Sequence, residues 1–170
     1  MSYKRLKSTS GKLVDRLTGD ESIQEQIGIL LGNICPGVSL HTGLPLLQAE
    51  DPAACEAGIG AAWPEIARAM YPVYLEGASV CGQIMGCQLR DWTCDECTGG
   101  LAAIGAIIAD PATIADVTTF LQGDAFCGQH ADQASCPDDV GRLMPLAMPI
   151  LAAVLTETAP EICQDINGVC

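Results

Sequence analysis

From its N-terminus the chain repeats apolar positions with the period of a helix, and nowhere does it hold a period of two for long. Tyr3 to Leu17 forms a basic amphipathic stretch, which Thr18-Gly19-Asp20 breaks and recaps. Ile23, Ile27, Leu30 and Leu31 make one face of a second helix that ends near Asn33, before Cys35-Pro36-Gly37. A loop rich in Gly and Pro runs to about Asp51, where Asp51-Pro52 restarts a helix with proline in its first turn. Pro64 and Pro72 are expected to divide the run from Ala53 to Gly77, and a short helix ends near Gly86.

After Cys87 the grammar repeats. Thr93 to Ala109 is helical, and Asp110-Pro111 starts a second helix with Ile114, Val117, Phe120 and Leu121 on one face. Gly128 to Pro137 reads as a loop. Asp138 or Asp139 then caps a third helix to about Leu155, which Pro145 and Pro149 are expected to interrupt. Pro160 opens a short last helix. The predicted fold class is therefore all-α.

The cysteines measure the repeat. Cys55 precedes Pro64 by nine residues, as Cys136 precedes Pro145. Cys55 to Cys81 spans 26 residues and Cys136 to Cys163 spans 27. Cys35 corresponds to Cys127. Two copies of one four-helix unit fit this spacing, over residues 1–88 and 92–170. The connection Gln88 to Thr93 is too short to let them tumble freely.

Cys94-x-x-Cys97 admits three readings. A zinc site wants a second close pair of ligands, and His41 and His130 stand alone in loops. A thioredoxin-like redox pair wants strands around it. The third reading takes Cys94, Cys97, Cys127, Cys136, Cys163 and Cys170 together. Their order and spacing on four amphipathic helices resemble the saposin-like (saposin B type) family over residues 92–170. The resemblance implies the pairs Cys94–Cys170, Cys97–Cys163 and Cys127–Cys136, one of the fifteen pairings that six cysteines allow. Each such bridge typically adds about 2–4 kcal/mol to a small helical unit with a thin core. The first copy departs from the pattern, with no Cys-x-x-Cys near Lys4 to Lys7. Cys35–Cys55 can still close its hairpin. Cys81 and Cys87 then join each other, pair with another chain into a homo-oligomer, or stay free; mutual pairing is favoured because ten cysteines is an even count.

Composition and charge narrow the function. Ten cysteines in 170 residues point to an oxidising compartment, hence a secreted, extracellular or lysosomal protein. Either a signal peptide was removed and this is the mature chain behind an added Met1, the favoured reading, or the protein stays inside cells. The net charge of −13 argues against nucleic acid, which needs clustered Lys and Arg, and against unaided binding to an anionic membrane at neutral pH. Five of the eight basic residues (Lys4, Arg5, Lys7, Lys12 and Arg16) crowd the first helix, as a docking patch or, more plainly, a solvated face. Acidification would remove most of the negative charge and permit pH-dependent membrane contact. No uninterrupted apolar stretch reaches the length of a bilayer span, since two prolines fall within Leu143 to Leu155.

The resemblance implies helical hairpins that open to expose an apolar inner face. The residues agree. The Thr93 and Asp138 helices are apolar around most of their surface, so more than one side must be covered. The expected function is non-enzymatic binding or carriage of a lipid, sterol, pigment or other apolar molecule between the two units. Its lining would be Ile27, Leu30, Leu31, Ile66, Met70, Leu101, Ile104, Ile108, Val117, Leu121, Met144, Met148 and Leu151, with Met85 a further adaptable side chain. The plainer alternative is that these faces simply pack on one another. Rival functions are an abundant crystallin-like structural or storage protein, and, against the charge, a membrane-perturbing defence protein. No catalytic constellation, phosphate loop or metal-ligand cluster is visible, so no cofactor is expected. Asp95/Glu96 and Asp138/Asp139 read as helix-start charges.

Overall fold

The structure, a computed structural model, describes residues 3–35, 52–75, 92–124, 126–129 and 133–170. Cys81, Cys87, His41, His130, Met85 and most of the connection after Gln88 lie outside the described residues. Within them the chain is all-helical. α1 covers Tyr3–Thr18, α2 Asp20–Ile34 and α3 Pro52–Leu75. α4 covers Cys94–Ile108, α5 Pro111–Gln122, α6 Cys136–Glu157 and α7 Ala159–Asn167, with one 3-10 turn at Cys127–Gln129.

Local chemistry sets the starts. Thr93 caps α4 in a reciprocal box: the Glu96 amide donates to its Oγ1 at 3.3 Å, and the Thr93 amide donates to Glu96 Oε2 at 3.0 Å. Asp110 caps α5 by accepting from the amides of Ala112 and Thr113 at 2.9 and 3.2 Å. Asp95 and Glu96, and Asp138 and Asp139, occupy first turns, where a carboxylate meets the positive end of the helix dipole. α7 ends on Gly168, whose φ of 67° is open to glycine at little cost.

Three expectations are corrected. Pro64 and Pro72 do not divide α3, and Pro145 and Pro149 do not interrupt α6. All four prolines lie off the buried stripes. In α6 the exposed line runs through Asp138, Arg142, Pro145, Pro149 and Ala153, so the carbonyls that the prolines deprive of a donor can take one from water. The opposite stripe buries Val140, Leu143, Met144, Ala147, Met148, Leu151 and Leu155, which outweighs the local cost. α6 also begins at Cys136 rather than at an Asp138 or Asp139 cap, with Pro137 in a first turn that needs no donor from it. Uninterrupted, α6 has 22 residues and is long and apolar enough to cross a membrane by length and composition, with 44% of its most apolar window buried inside the fold.

Among the described residues, four disulfides join Cys35–Cys55, Cys94–Cys170, Cys97–Cys163 and Cys127–Cys136. The last three are the pairs that the resemblance implied. Such bridges are compatible with an extracellular or secreted protein. α1 and α2 pack on α3 and on each other; α4 and α5 pack on α6 and on each other, and α7 closes on α4 and α6. The α4–α6 contact is tight at Gly105, where a Cβ would stand 2.7 Å from Thr156 Oγ1 and 3.0 Å from the Ala152 carbonyl oxygen. Gly105→Ala is therefore expected to destabilise by about 1–3 kcal/mol through overpacking. Gly99→Ala, in the same helix with open space around it, is expected to stabilise by about 0.5–1 kcal/mol. Urea denaturation of the two variants should show midpoint shifts of opposite sign; shifts of the same sign would mean that the helices do not meet at Gly105.

Candidate functional site

The two helical groups meet along a seam. α2 lies on α6, α3 on α5, and α1 on α7. Tyr74 of α3 and Phe120 of α5 meet edge to face across it, with ring centroids 6.0 Å apart. Arg16 of α1 and Asp165 of α7 form an ion pair at 3.4 Å. This places Arg16 of the basic helix at the seam and leaves Lys12 on the exposed surface, while the side chains of Lys4, Arg5 and Lys7 lie outside the described residues.

The apolar positions singled out in the sequence all join one continuous core. Ile27, Leu30, Ile66, Met70, Leu101, Ile104, Val117, Leu121, Met144, Met148 and Leu151 are buried, and Leu31 and Ile108 are half-buried against them. Ile108 and Leu151 of that set border a cavity of about 60 Å³ on the seam. Pockets that enclose whole small-molecule ligands typically measure about 300–1,000 Å³. The closed form therefore has room for water or a small polar group, and an acyl chain would enter only if the seam parts.

The cavity has two unlike walls. Ile108, Leu151, Val154, Leu155 and Ile162 make the C-terminal side mainly apolar, with Thr158 and Glu161 as its polar members. Ser22, Glu25, Gln26 and Tyr71 come from the N-terminal group and carry polar atoms. Gln26 organises that side. Its Oε1 accepts from Trp63 Nε1 at 3.0 Å and from the Tyr71 hydroxyl at 3.1 Å. Its Nε2 donates to the Leu17 carbonyl at 2.9 Å and to Ser22 Oγ at 3.2 Å. The amide thus uses both lone pairs and both protons, as a buried amide must to offset its desolvation. Among the described residues no buried side-chain polar atom lacks a partner, and no group of His, Cys, Asp or Glu is placed to hold a metal ion.

Burial pushes the Tyr71 phenol well above its ordinary value of 10.0. Above that pH the unfolded chain releases the proton and the folded chain keeps it, so stability is expected to fall as pH rises beyond about 10. The alkaline loss should be smaller in Tyr71→Phe, measured by thermal unfolding between pH 8 and 11. Equal alkaline slopes in both proteins would show that Tyr71 is not buried in this way. Tyr74 shifts in the same direction, first through burial and then through Asp116.

Sequence reasoning passed over Gln26, Trp63, Tyr71, Glu25 and Glu161. A signal existed for Gln26, which interrupts the apolar face of α2 between Ile23 and Ile27 and so demands a buried partner. Nothing in the sequence marks Trp63 and Tyr71 as that partner, because they lie 37 and 45 residues away. No family model, curated protein or solved structure matches this chain.

Proposed function

We propose that the chain is a tandem of two saposin-like units, one over residues 1–88 and one over 92–170, that carries a lipid or other apolar molecule between them without catalysing a reaction. One observation carries this reading: among the described residues, each of the four disulfides lies within one helical group and none crosses the seam. The helical groups are stapled and the seam is held by side-chain packing. Opening therefore falls first at the seam, which has the lower local stability of the two. The contacts across it are reciprocal, since α2 meets α6 and α3 meets α5, as two related hairpins would meet in an isologous pair. Parting them exposes buried faces such as Leu30, Met144 and Met148, and an acyl chain re-covers such a face at about 0.8 kcal/mol per methylene. A ligand then substitutes for the opposite leaf.

The test is mass spectrometry of an organic extract of the protein purified from its native source. A lipid, sterol or pigment near one equivalent per chain is expected. A second reading, an abundant crystallin-like storage protein, is favoured by the small cavity and by the net charge of −13, which keeps a concentrated protein soluble. A ligand-free extract from a tissue rich in the protein would decide for storage. On the carriage reading the protein works in a secreted or lysosomal setting and gains membrane contact as acid removes its charge.

A further inference from the structure

The two walls of the seam cavity carry information about the ligand's polar end. We infer that the seam seats an uncharged amphiphile with a single hydroxyl head, and discriminates against one with an anionic head. This rests on the carriage reading above and names the ligand class for the same seam.

Unused hydrogen-bonding capacity and the charge at the rim both point to such a head. Gln26 is saturated by Trp63, Tyr71, Leu17 and Ser22, so it offers nothing further to a guest. It does fix the groups that do. The Tyr71 hydroxyl spends its proton on Gln26 and keeps a lone pair; Ser22 Oγ accepts from Gln26 and keeps its proton. Both side chains border the cavity. One acceptor and one donor on the cavity lining match a hydroxyl, which needs one of each. The cavity volume of about 60 Å³ suits such a head. Facing them, Ile108, Leu151 and Leu155 give an apolar stretch beside the α2–α6 contact, where a hydrocarbon tail would lie once the seam parts. Charge at the rim acts against anions. Glu25 and Glu161 border the cavity, and its one cation, Arg16, is engaged by Asp165. A carboxylate head would meet two like charges and lose its hydration without a free cation to replace it.

The experiment is equilibrium dialysis of the whole chain at pH 8 with 1-decanol, decanoate and decane, probes that share a chain length and differ in the head. Decanol is expected to bind at least about tenfold more tightly than decanoate, and more tightly than decane. Tyr71→Phe should weaken decanol about fivefold, the value of one hydrogen bond, and leave decane unchanged. Glu25→Gln with Glu161→Gln, both on the exposed surface, should raise decanoate affinity severalfold, which keeps a readout if the Tyr71 variant fails to fold. Decanoate binding as tightly as decanol, or decane matching decanol, would overturn the head-group inference and leave carriage intact. Absence of binding by all three probes would overturn both.

Discussion

Removing the Cys94–Cys170 and Cys97–Cys163 bridges together, by alanine at all four positions, is expected to unfold the C-terminal group at 37 °C, whereas removing either alone is not. The two are nested. They close loops of 76 and 66 residues that share nearly all their length. While one remains, the other restricts only the short segments at the two ends, and its loss costs about 2–3 kcal/mol on a chain-entropy view. Once the first is gone, the second alone holds a long loop, and its removal adds about 4 kcal/mol. That total approaches the whole stability of many domains of this size. Circular dichroism melts of the two paired variants and the quadruple variant would measure this. Strict additivity of the melting shifts would refute the nested account.

Gln26→Leu is expected to cost about 3–5 kcal/mol, more than the loss of any exposed ion pair such as Arg68–Asp20 at 2.7 Å. Leucine fills similar volume, so the loss is electrostatic. Trp63 Nε1 and the Tyr71 hydroxyl are left as buried donors without an acceptor, and the Leu17 carbonyl and Ser22 lose the amide protons they accepted. Adding Tyr71→Phe removes one stranded donor and should restore about 1 kcal/mol. Chemical denaturation of the two variants checks the sign. A double variant less stable than Gln26→Leu alone would mean that Tyr71 contributes mainly by packing.

The starts of α4 and α5 were legible because Thr93, followed by Glu96, and Asp110 with Pro111 are local signals that tertiary contacts do not override. The prolines in α3 and α6 misled for the converse reason. Their cost depends on which face they occupy, and Pro145 and Pro149 fall four apart on the solvent line of a helix whose other side buries Met144 and Met148. The bridges of the C-terminal group were legible through a resemblance, since spacing alone left fifteen pairings open. The seam was not legible. Periodicity marks Leu30, Val117 and Met144 as inward-facing, but not what covers them, and the sequence shows apolar side chains equally well as a lining or as a packed core. Ser22 and Glu25 lie on turns of α2 that pattern reading assigns to cap and surface, and only the approach of α6 and α7 turns them into a cavity wall.

The spacing of the bridges also has a temporal meaning. Cys35 and Cys55 are separated by 20 residues, and can pair while the rest of the chain is still being made. Cys94 and Cys97 have to wait for partners 76 and 66 residues downstream. At a synthesis rate of about 5–20 residues per second this leaves them as thiols for roughly 3–15 s. During that interval Cys127 and Cys136, only nine residues apart, emerge and can close first. The order of manufacture thus lets Cys35, Cys55, Cys127 and Cys136 leave circulation before the long-range pairs are drawn, leaving the late arrivals fewer wrong partners to choose.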